Sequence, residues 1–122
     1  MTVTRQEKGR AGEDVAARFL EQHGLEVLVR NFRCPLGEID LIGRDRGTIV
    51  FVEVKSRSGA GYGLPQEAVS RTKQRRLTRL AQWYLKGKRL ERQPARFDVI
   101  AVTWHDGEPE VRWIVNAFEA CE

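Results

Sequence analysis

Three charged residues lie in two neighbouring apolar segments, at a spacing suited to phosphate chemistry. Asp40 lies in "GEIDLIG", and Glu53 and Lys55 lie two residues apart in "IVFVEVKSR", the most apolar segment of the chain. Burying a lone carboxylate or ammonium group costs roughly several kcal/mol or forces the group to become neutral. Either a partner compensates these charges, or a chemical reaction needs them.

The alternation of side chains along the two predicted strands brings the three residues to one face. Ile49, Phe51, Glu53 and Lys55 share a face of their strand, and Val50, Val52 and Val54 share the other. On the preceding strand, Ile39 and Leu41 are predicted to share a face, with Glu38, Asp40 and Ile42 opposite. A turn centred on 44–47 then sets Asp40 across from Phe51 or Glu53. Both registers bring Asp40 to the face of Glu53, about 5 Å away across the strands.

Such a pair of carboxylates indicates a divalent cation. Two carboxylates this close repel each other unless a cation lies between them. Mg²⁺ (or Mn²⁺) suits the pair, because it binds through one or two carboxylates and takes its other ligands from water and phosphate. A neighbouring lysine can orient or deprotonate a water, or neutralise charge on a phosphate. The alternative is a structural ion pair of Lys55 with Glu53 or Asp40.

The elements that must position these residues are predicted in the order α-β-β-β-α-β-β. The helices span 9–23 and 71–86, and the strands span 25–32, 37–43, 48–56, 96–104 and 110–118. Ser70 is the predicted N-cap of the second helix, whose apolar stripe is Leu77, Leu80, Ala81, Tyr84 and Leu85. A helix between the third and fourth strands indicates a parallel crossover. We therefore expect one α/β domain over 1–122, a central mixed sheet flanked by helices.

Positive charge is concentrated on the second helix and the residues that follow it. Residues 71–92 hold nine basic residues against one acid, so this stretch is +8 in a chain whose net charge is +4. That asymmetry indicates a polyanionic partner, whereas the alternative is a solvated helix face. The predicted nucleic-acid contacts are Arg71, Lys73, Arg75, Arg76 and Arg79; for Lys73 a simply solvated lysine is the alternative.

Other signals exclude several classes of protein. No apolar run approaches the roughly 20 residues needed to cross a bilayer, so no membrane association is expected. The first residues lack the apolar segment of a signal peptide, which predicts a cytoplasmic location. Cys34, Cys121 and the two histidines have no zinc-binding spacing.

Several motifs in order resemble a known family. "GEIDLI", "VFVEVKSR", "PQEAVSRTKQRRLTRLAQWYL" and "RFDVIAV" are similar to the YraN-like bacterial proteins over roughly residues 5–118. These belong to the restriction-endonuclease-like PD-(D/E)xK nuclease superfamily, and archaeal Holliday-junction resolvases are similar relatives. The resemblance implies that fold, a possible homodimer, and a Mg²⁺-dependent nuclease site.

The resemblance also assigns roles to individual residues. It implies that Asp40 is the acid of the first motif, although Ile39 precedes it where a proline is usual, and that Glu53 and Lys55 form the ExK pair. Glu13 matches a helix glutamate that joins the metal site, with an exposed first-turn acid as the alternative. Gln66 matches a polar position near the active site, with an ordinary loop residue as the alternative.

The leading functional hypothesis is a Mg²⁺-dependent endonuclease that hydrolyses DNA. Phosphate contacts from the basic helix would favour DNA shape over base sequence, which fits branched or flapped DNA. The alternative is a non-catalytic nucleic-acid-binding module on a nuclease fold. A third hypothesis is a protein–protein adaptor that uses Trp83, Trp104 or Trp113, but large aromatic side chains at such spacings are expected in the core.

Overall fold

The computed structural model describes residues 5–59 and 69–121, with side chains from residue 9 onward. Within these ranges lie two helices, α1 (Arg5–Gln22) and α2 (Arg71–Gly87), and five strands: β1 (Glu26–Cys34), β2 (Gly37–Asp45), β3 (Thr48–Ser58), β4 (Ala95–His105) and β5 (Glu108–Phe118). The predicted α/β class and the order α-β-β-β-α-β-β are confirmed. Every predicted strand is present; β1 is one residue longer than predicted, and each of the other four is two residues longer.

The five strands form one mixed sheet in the order β1-β2-β3-β4-β5. β3 and β4 are parallel and α2 lies in the crossover between them, while the other neighbouring pairs are antiparallel. Each face of the sheet has its own apolar cluster. One cluster contains Leu77, Leu80 and Tyr84 of α2. The other contains Ala16, Ala17 and Leu20 of α1. The strand residues of the site are therefore held between two packed layers.

Helix α2 begins and packs as its sequence predicts. Ser70 has an extended backbone, and its hydroxyl accepts a hydrogen bond from the Lys73 backbone N–H at 3.2 Å. This cap satisfies one of the helix's unpaired N–H groups. Four members of the predicted stripe are buried, and Leu85 packs against them. The cap and the stripe together fix both the start of α2 and its rotation over the sheet.

Two predicted boundaries are wrong. Helix α1 begins at Arg5 rather than at residue 9. The "RDRG" segment is not a four-residue loop, because Asp45 pairs with Thr48 and only Arg46 and Gly47 form the turn. Both turn residues have positive φ, 50° and 91°, and such a two-residue turn matches the twist of a β-hairpin. Most of the predicted glycine-rich loop at 59–68 lies outside the described residues.

The predicted alternation of β2 is also wrong at one point. Ile39 packs on the α2 side of the sheet with Ile42, whereas Leu41 packs on the α1 side. Ile39 and Leu41 therefore do not share a face. On β1, Arg30 pairs with Leu41 and Phe32 pairs with Ile39. Asn31 lies between them, and its φ is 54°. A left-handed residue within a strand interrupts regular alternation, and the interruption falls beside Asp40.

The tryptophans divide into two groups. Trp104 and Trp113 pack against the α1 cluster, as expected of core aromatic side chains. Trp83 is 48% exposed, so the expectation that it lies in the core is wrong. Trp83 lies on the polar face of α2, away from the stripe that contacts the sheet. Neither helix, over its described residues, is both long and apolar enough to span a bilayer.

Gly12 allows α1 to lie close against the end of β3. A Cβ built on Gly12 would lie 2.7 Å from both Cβ and Oγ of Ser56. The Ser56 hydroxyl is held in place, because it accepts a hydrogen bond from Trp104 Nε1 at 2.9 Å. The contact sets the position of the first half of α1, which includes Glu13.

We expect Gly12→Ala to destabilise the protein even though alanine is the better helix former. The added methyl must displace Ser56 or α1, which typically costs about 1–3 kcal/mol. Gly9→Ala is the matched control, since nothing lies within 4 Å of a Cβ at that position. It should gain up to about 1 kcal/mol from helix propensity. Chemical denaturation of both variants measures the difference, and an equal gain for both would contradict the close contact.

Candidate functional site

A small polar cavity lies where the start of β2, the middle of β3 and the first turns of α2 meet. Its volume is about 190 Å³, and its lining residues are Gly37, Glu38, Asp40, Glu53, Lys73, Arg76 and Leu77. Asp40 and Glu53 come from the two strands, and Lys73 and Arg76 come from the helix. The structure thus brings together the two predicted carboxylates and two of the predicted basic residues.

Asp40 lies at the point where the ladder between β2 and β3 ends. The last pair is Leu41 with Val52, so Asp40 follows on the side of Glu53, one of the two predicted registers. Its carboxylate accepts a hydrogen bond from the Val54 backbone N–H at 2.8 Å. Burial, and next the negative charge of Glu53, raise the pKa of Asp40 from 3.8 to about 7. Its ionised form is therefore poorly compensated when no cation is present.

Glu53 is the buried carboxylate of the site, with 7% exposure. Its Oε1 lies 2.6 Å from Lys73 Nζ and 3.6 Å from Lys55 Nζ. The charge in the apolar strand is therefore compensated, and mainly by a lysine of α2 rather than by its neighbour on β3. The alternative interpretation that Lys73 is simply solvated is wrong, because its side chain is half-buried and paired with Glu53.

The pKa values of Lys55 and Lys73 shift in opposite directions. Burial lowers the pKa of Lys55, and the adjacent Lys73 ammonium group lowers it further, against the opposing charge of Glu53. Burial alone would lower the pKa of Lys73 as well, but its hydrogen bond to Glu53 and the charge of Glu53 outweigh burial and raise it. Lys73 is thus the fixed counter-charge, and Lys55 is the lysine that gives up its proton more readily.

Glu13 lies beside this cluster without joining the cavity lining. Burial raises its pKa, and a hydrogen bond from the Asn31 side chain and the charge of Arg30 partly offset that effect. The charge of Glu13 in turn contributes to the raised pKa of Asp40. Glu13 is therefore a partly buried neighbour of the site, not a fully exposed helix acid. Its role as a metal ligand stays a prediction.

Asn31 is a site neighbour that sequence reasoning missed. Its left-handed backbone, opposite Asp40, lets its side chain hydrogen-bond to Glu13. An asparagine inside a β-branched strand such as "EVLVRNF" is a usable signal, since Asn is depleted in strands and tolerates positive φ.

The predicted nucleic-acid contacts occupy one side of α2. Arg71, Arg75, Arg76 and Arg79 are exposed. Within the part of the chain that the structure describes, none of these arginines forms a salt bridge. Arg76 reaches the cavity lining, whereas Gln66 lies outside the described residues and its role stays a prediction. The helix thus presents exposed positive charge up to the edge of the carboxylate cavity.

Asp40 and Glu53 could bind a divalent cation as two carboxylate ligands, without a third protein carboxylate. Among the described side chains, no three His, Cys, Asp or Glu groups lie close enough together to hold a metal ion. Mg²⁺ needs only one or two carboxylates when water and phosphate supply the rest. Burial and the charge of Glu53 raise the pKa of Asp40, and a cation between the two carboxylates would favour its ionised form.

A second buried acid, Asp98 of β4, has a different environment. It is fully buried and accepts hydrogen bonds from Arg96, from Trp113 Nε1 at 2.9 Å and from the Asn116 backbone N–H at 2.8 Å. Arg96 also reaches Asp45 at 3.0 Å. Each oxygen of Asp98 is satisfied by protein donors, so this acid joins β4 to β5 rather than forming a binding site.

Fold and site together define a small α/β protein with a carboxylate–lysine cluster at the end of a strand ladder. Residues 12–102 match the uncharacterised protein family UPF0102. The chain is 49% identical over 119 residues to a UPF0102 protein of Syntrophotalea carbinolica, covering 98% of this chain and 97% of that one. It is 52% identical over 113 residues to one of Symbiobacterium thermophilum, covering 92% and 96%. The chain therefore belongs to UPF0102.

One solved structure is also similar. It is Pyrococcus furiosus SfsA in complex with Ca²⁺, with a TM-score of 0.40 and 15% identity. The similarity covers 88% of this chain, which spans 62% of the SfsA chain.

The raised pKa of Asp40 predicts how stability depends on pH in EDTA. The folded protein holds this proton more tightly than the unfolded chain, so the contribution is complete below pH 3.8 and is lost as pH rises to about 7. Asp40→Asn keeps an acceptor for Val54 and removes the titration. We therefore expect the stability of Asp40→Asn relative to wild type to increase as pH rises from 4 to 8, by an amount on the order of 2–4 kcal/mol. Parallel stability curves for the two proteins would contradict the assignment.

Proposed function

We propose that this protein is a divalent-metal-dependent endonuclease that hydrolyses phosphodiester bonds in DNA. The observation that carries the proposal is the placement of Asp40 and Glu53 on one cavity with Lys73, beside the exposed arginines of α2, with Lys55 Nζ 3.6 Å from Glu53. The same residues carry the resemblance to the PD-(D/E)xK nucleases. A location in the cytoplasm, where chromosomal DNA is accessible in a bacterium, belongs to the same proposal.

Each residue of the cluster has a separate task in this proposal. Asp40 and Glu53 would hold Mg²⁺ or Mn²⁺, and Glu13 would assist from the first helix. A bound ion would supply Lewis acidity toward a phosphate oxygen and a water. Lys55, whose pKa is lowered by burial, would hold the attacking water and accept its proton.

Lys73 and the arginines would hold the substrate. Lys73 pairs with Glu53 when no other cation is present, and a metal on Glu53 would release it toward a phosphate oxygen. Arg71, Arg75, Arg76 and Arg79 would contact the backbone on both sides of the cleaved bond. Such contacts carry no base information, so the selected feature would be the shape of branched or flapped DNA.

A second candidate function is a nucleic-acid-binding module without catalysis. One observation favours it: Lys73 lies 2.6 Å from Glu53 and already neutralises the buried carboxylate. In this alternative the ion pair would be permanent and structural. The two functions differ in whether a divalent cation can displace Lys73 from Glu53.

Lys55→Ala tests the proposed enzyme. We expect cleavage to fall by about 10²–10⁴-fold, because the group that accepts the proton of the attacking water is lost. DNA affinity should stay within a few-fold, since the basic helix supplies many contacts. The assay uses single-stranded, duplex, flapped and branched DNA with Mg²⁺, Mn²⁺ or EDTA. Lys86→Ala, an exposed lysine at the other end of α2, is the matched control and should cut like wild type.

Two outcomes would contradict the proposed enzyme. If folded Lys55→Ala cuts as fast as wild type, the catalytic role of Lys55 is wrong. If wild type cuts no substrate with either metal, and neither ion raises its melting temperature, the binding module becomes the better conclusion.

Removing two helix arginines tests the DNA contact surface. Arg75→Ala with Arg79→Ala should weaken binding and flatten its salt dependence, by up to about 0.9 in the log–log slope for each lost phosphate contact. Arg18→Ala with Arg112→Ala removes the same charge from α1 and β5 and should change neither quantity. Equal effects of the two pairs would show that only net charge matters. Folding should persist, since the buried stripe of α2 is unchanged.

A further inference from the structure

Some large apolar side chains are exposed to solvent. In the described parts of the chain, three such side chains are strongly exposed: Leu36, Trp83 and Val115. Leu36 lies in the turn before Gly37, which lines the cavity. Val115 lies on β5, at the far edge of the sheet. Trp83 is 48% exposed, and it is the one of these three side chains that lies on the helix carrying the arginines.

Trp83 lies on the same side of α2 as two of the arginines. Arg76, Arg79 and Trp83 follow each other at i, i+3 and i+7, which places them on one helix face. A Cβ at Gly37 would lie 3.8 Å from the Arg76 side chain, so this face of α2 borders the β1–β2 turn. Long helical side chains lean toward the N-terminus, so the Trp83 ring extends back toward Arg79 and the cavity.

The spacing along the helix fits a nucleic-acid strand. Seven residues of α-helix span about 10 Å, so the two arginines and the ring can contact neighbouring nucleotides of one strand. Arginines that alternate with an exposed aromatic ring are the features that bind single strands, where phosphates pair with the cations and bases stack on the ring. A protein partner is less compatible with this surface, because residues 71–90 contain no acid and hold eight basic residues.

We propose that Trp83 is a stacking platform for an unpaired base of single-stranded DNA, with the strand's phosphates on Arg76 and Arg79. This inference rests on the proposed function, because it places the unpaired base near the phosphodiester bond that would be cleaved at the cavity. It makes the substrate class more specific. The protein binds DNA with a single-stranded segment beside the cleavage position, and continuous duplex has no free base to offer Trp83.

Binding in EDTA tests the platform without cleavage. Trp83→Ala should lower affinity for a single-stranded oligonucleotide and for flapped DNA by roughly 10–100-fold, with duplex affinity unchanged. Trp83→Phe should restore most of the affinity, because phenylalanine keeps a ring. Val115→Ala is the matched control for losing an exposed apolar side chain and should bind like wild type. The salt slope should not change, since stacking releases no counterions.

An abasic oligonucleotide separates stacking from phosphate contact. Wild type should bind it about as weakly as Trp83→Ala binds the normal strand, and Trp83→Ala should show no further loss. Single-stranded DNA should also quench the tryptophan fluorescence of wild type more than that of Trp83→Phe. The indole N–H groups of Trp104 and Trp113 donate hydrogen bonds to Ser56 and Asp98, so these two rings are held away from the proposed strand.

The outcomes separate this proposal from the nuclease. If wild type cuts DNA while Trp83→Ala binds single strands as tightly as wild type, the platform is wrong and the nuclease stands. If wild type cuts nothing while the ring, abasic and quenching results hold, the platform stands and the nuclease is wrong. Equal losses on duplex and single-stranded DNA, or an equal loss in Trp83→Phe and Trp83→Ala, would also overturn the platform.

Discussion

The structure of the site depends on the compensation of one buried carboxylate. Glu53 is 7% exposed in the middle of an apolar strand, and Lys73 lies 2.6 Å from it. An ionised carboxylate at that depth requires a cation, so α2 must begin where its third residue can reach β3. The Ser70 cap fixes that starting point, and Leu77, Leu80 and Tyr84 fix the helix rotation. The sequence of α2 therefore satisfies three requirements at once: a cap, an apolar stripe, and a lysine in the first turn.

Sequence patterns could predict most of the fold and the convergence of Asp40 with Glu53. Both follow from local periodicity: alternation in the strands, a helical stripe, and a short turn between β2 and β3. The broken alternation between Ile39 and Leu41 was not readable in this way, because it depends on the backbone of Asn31 in a neighbouring strand. The pairing of Lys73 with Glu53 depends on how α2 crosses the sheet, which no local pattern specifies. Trp83 is different: its helical phase does indicate exposure, and the general preference of tryptophan for burial is the weaker guide.

Two buried acids of the same sheet differ in how fully the protein compensates their charge. Asp98 accepts bonds from an arginine, an indole and a backbone N–H, so its charge is fully satisfied. Asp40 has the Val54 N–H and a second carboxylate nearby, and its pKa rises to about 7. The left-handed Asn31 and the close contact at Gly12 lie at the same end of the sheet. Ionisable groups with strongly shifted pKa values are typical of functional sites, and a cation between Asp40 and Glu53 would relieve the repulsion of the two carboxylates.

The first turn of α2 links cation binding to substrate contact. It contains Arg71 and Lys73 and no acid, although a helix N-terminus favours negative charge. In the structure the negative charge beside this turn is that of Glu53, which pairs with Lys73. A divalent ion on Glu53 would weaken this pairing, and the helix N-terminus with its two cations would then favour another anion. A DNA phosphate has the required charge, and the exposed arginines continue the same surface. Metal and DNA would therefore each favour the binding of the other, because both compete with a single interaction, the bond between Lys73 and Glu53.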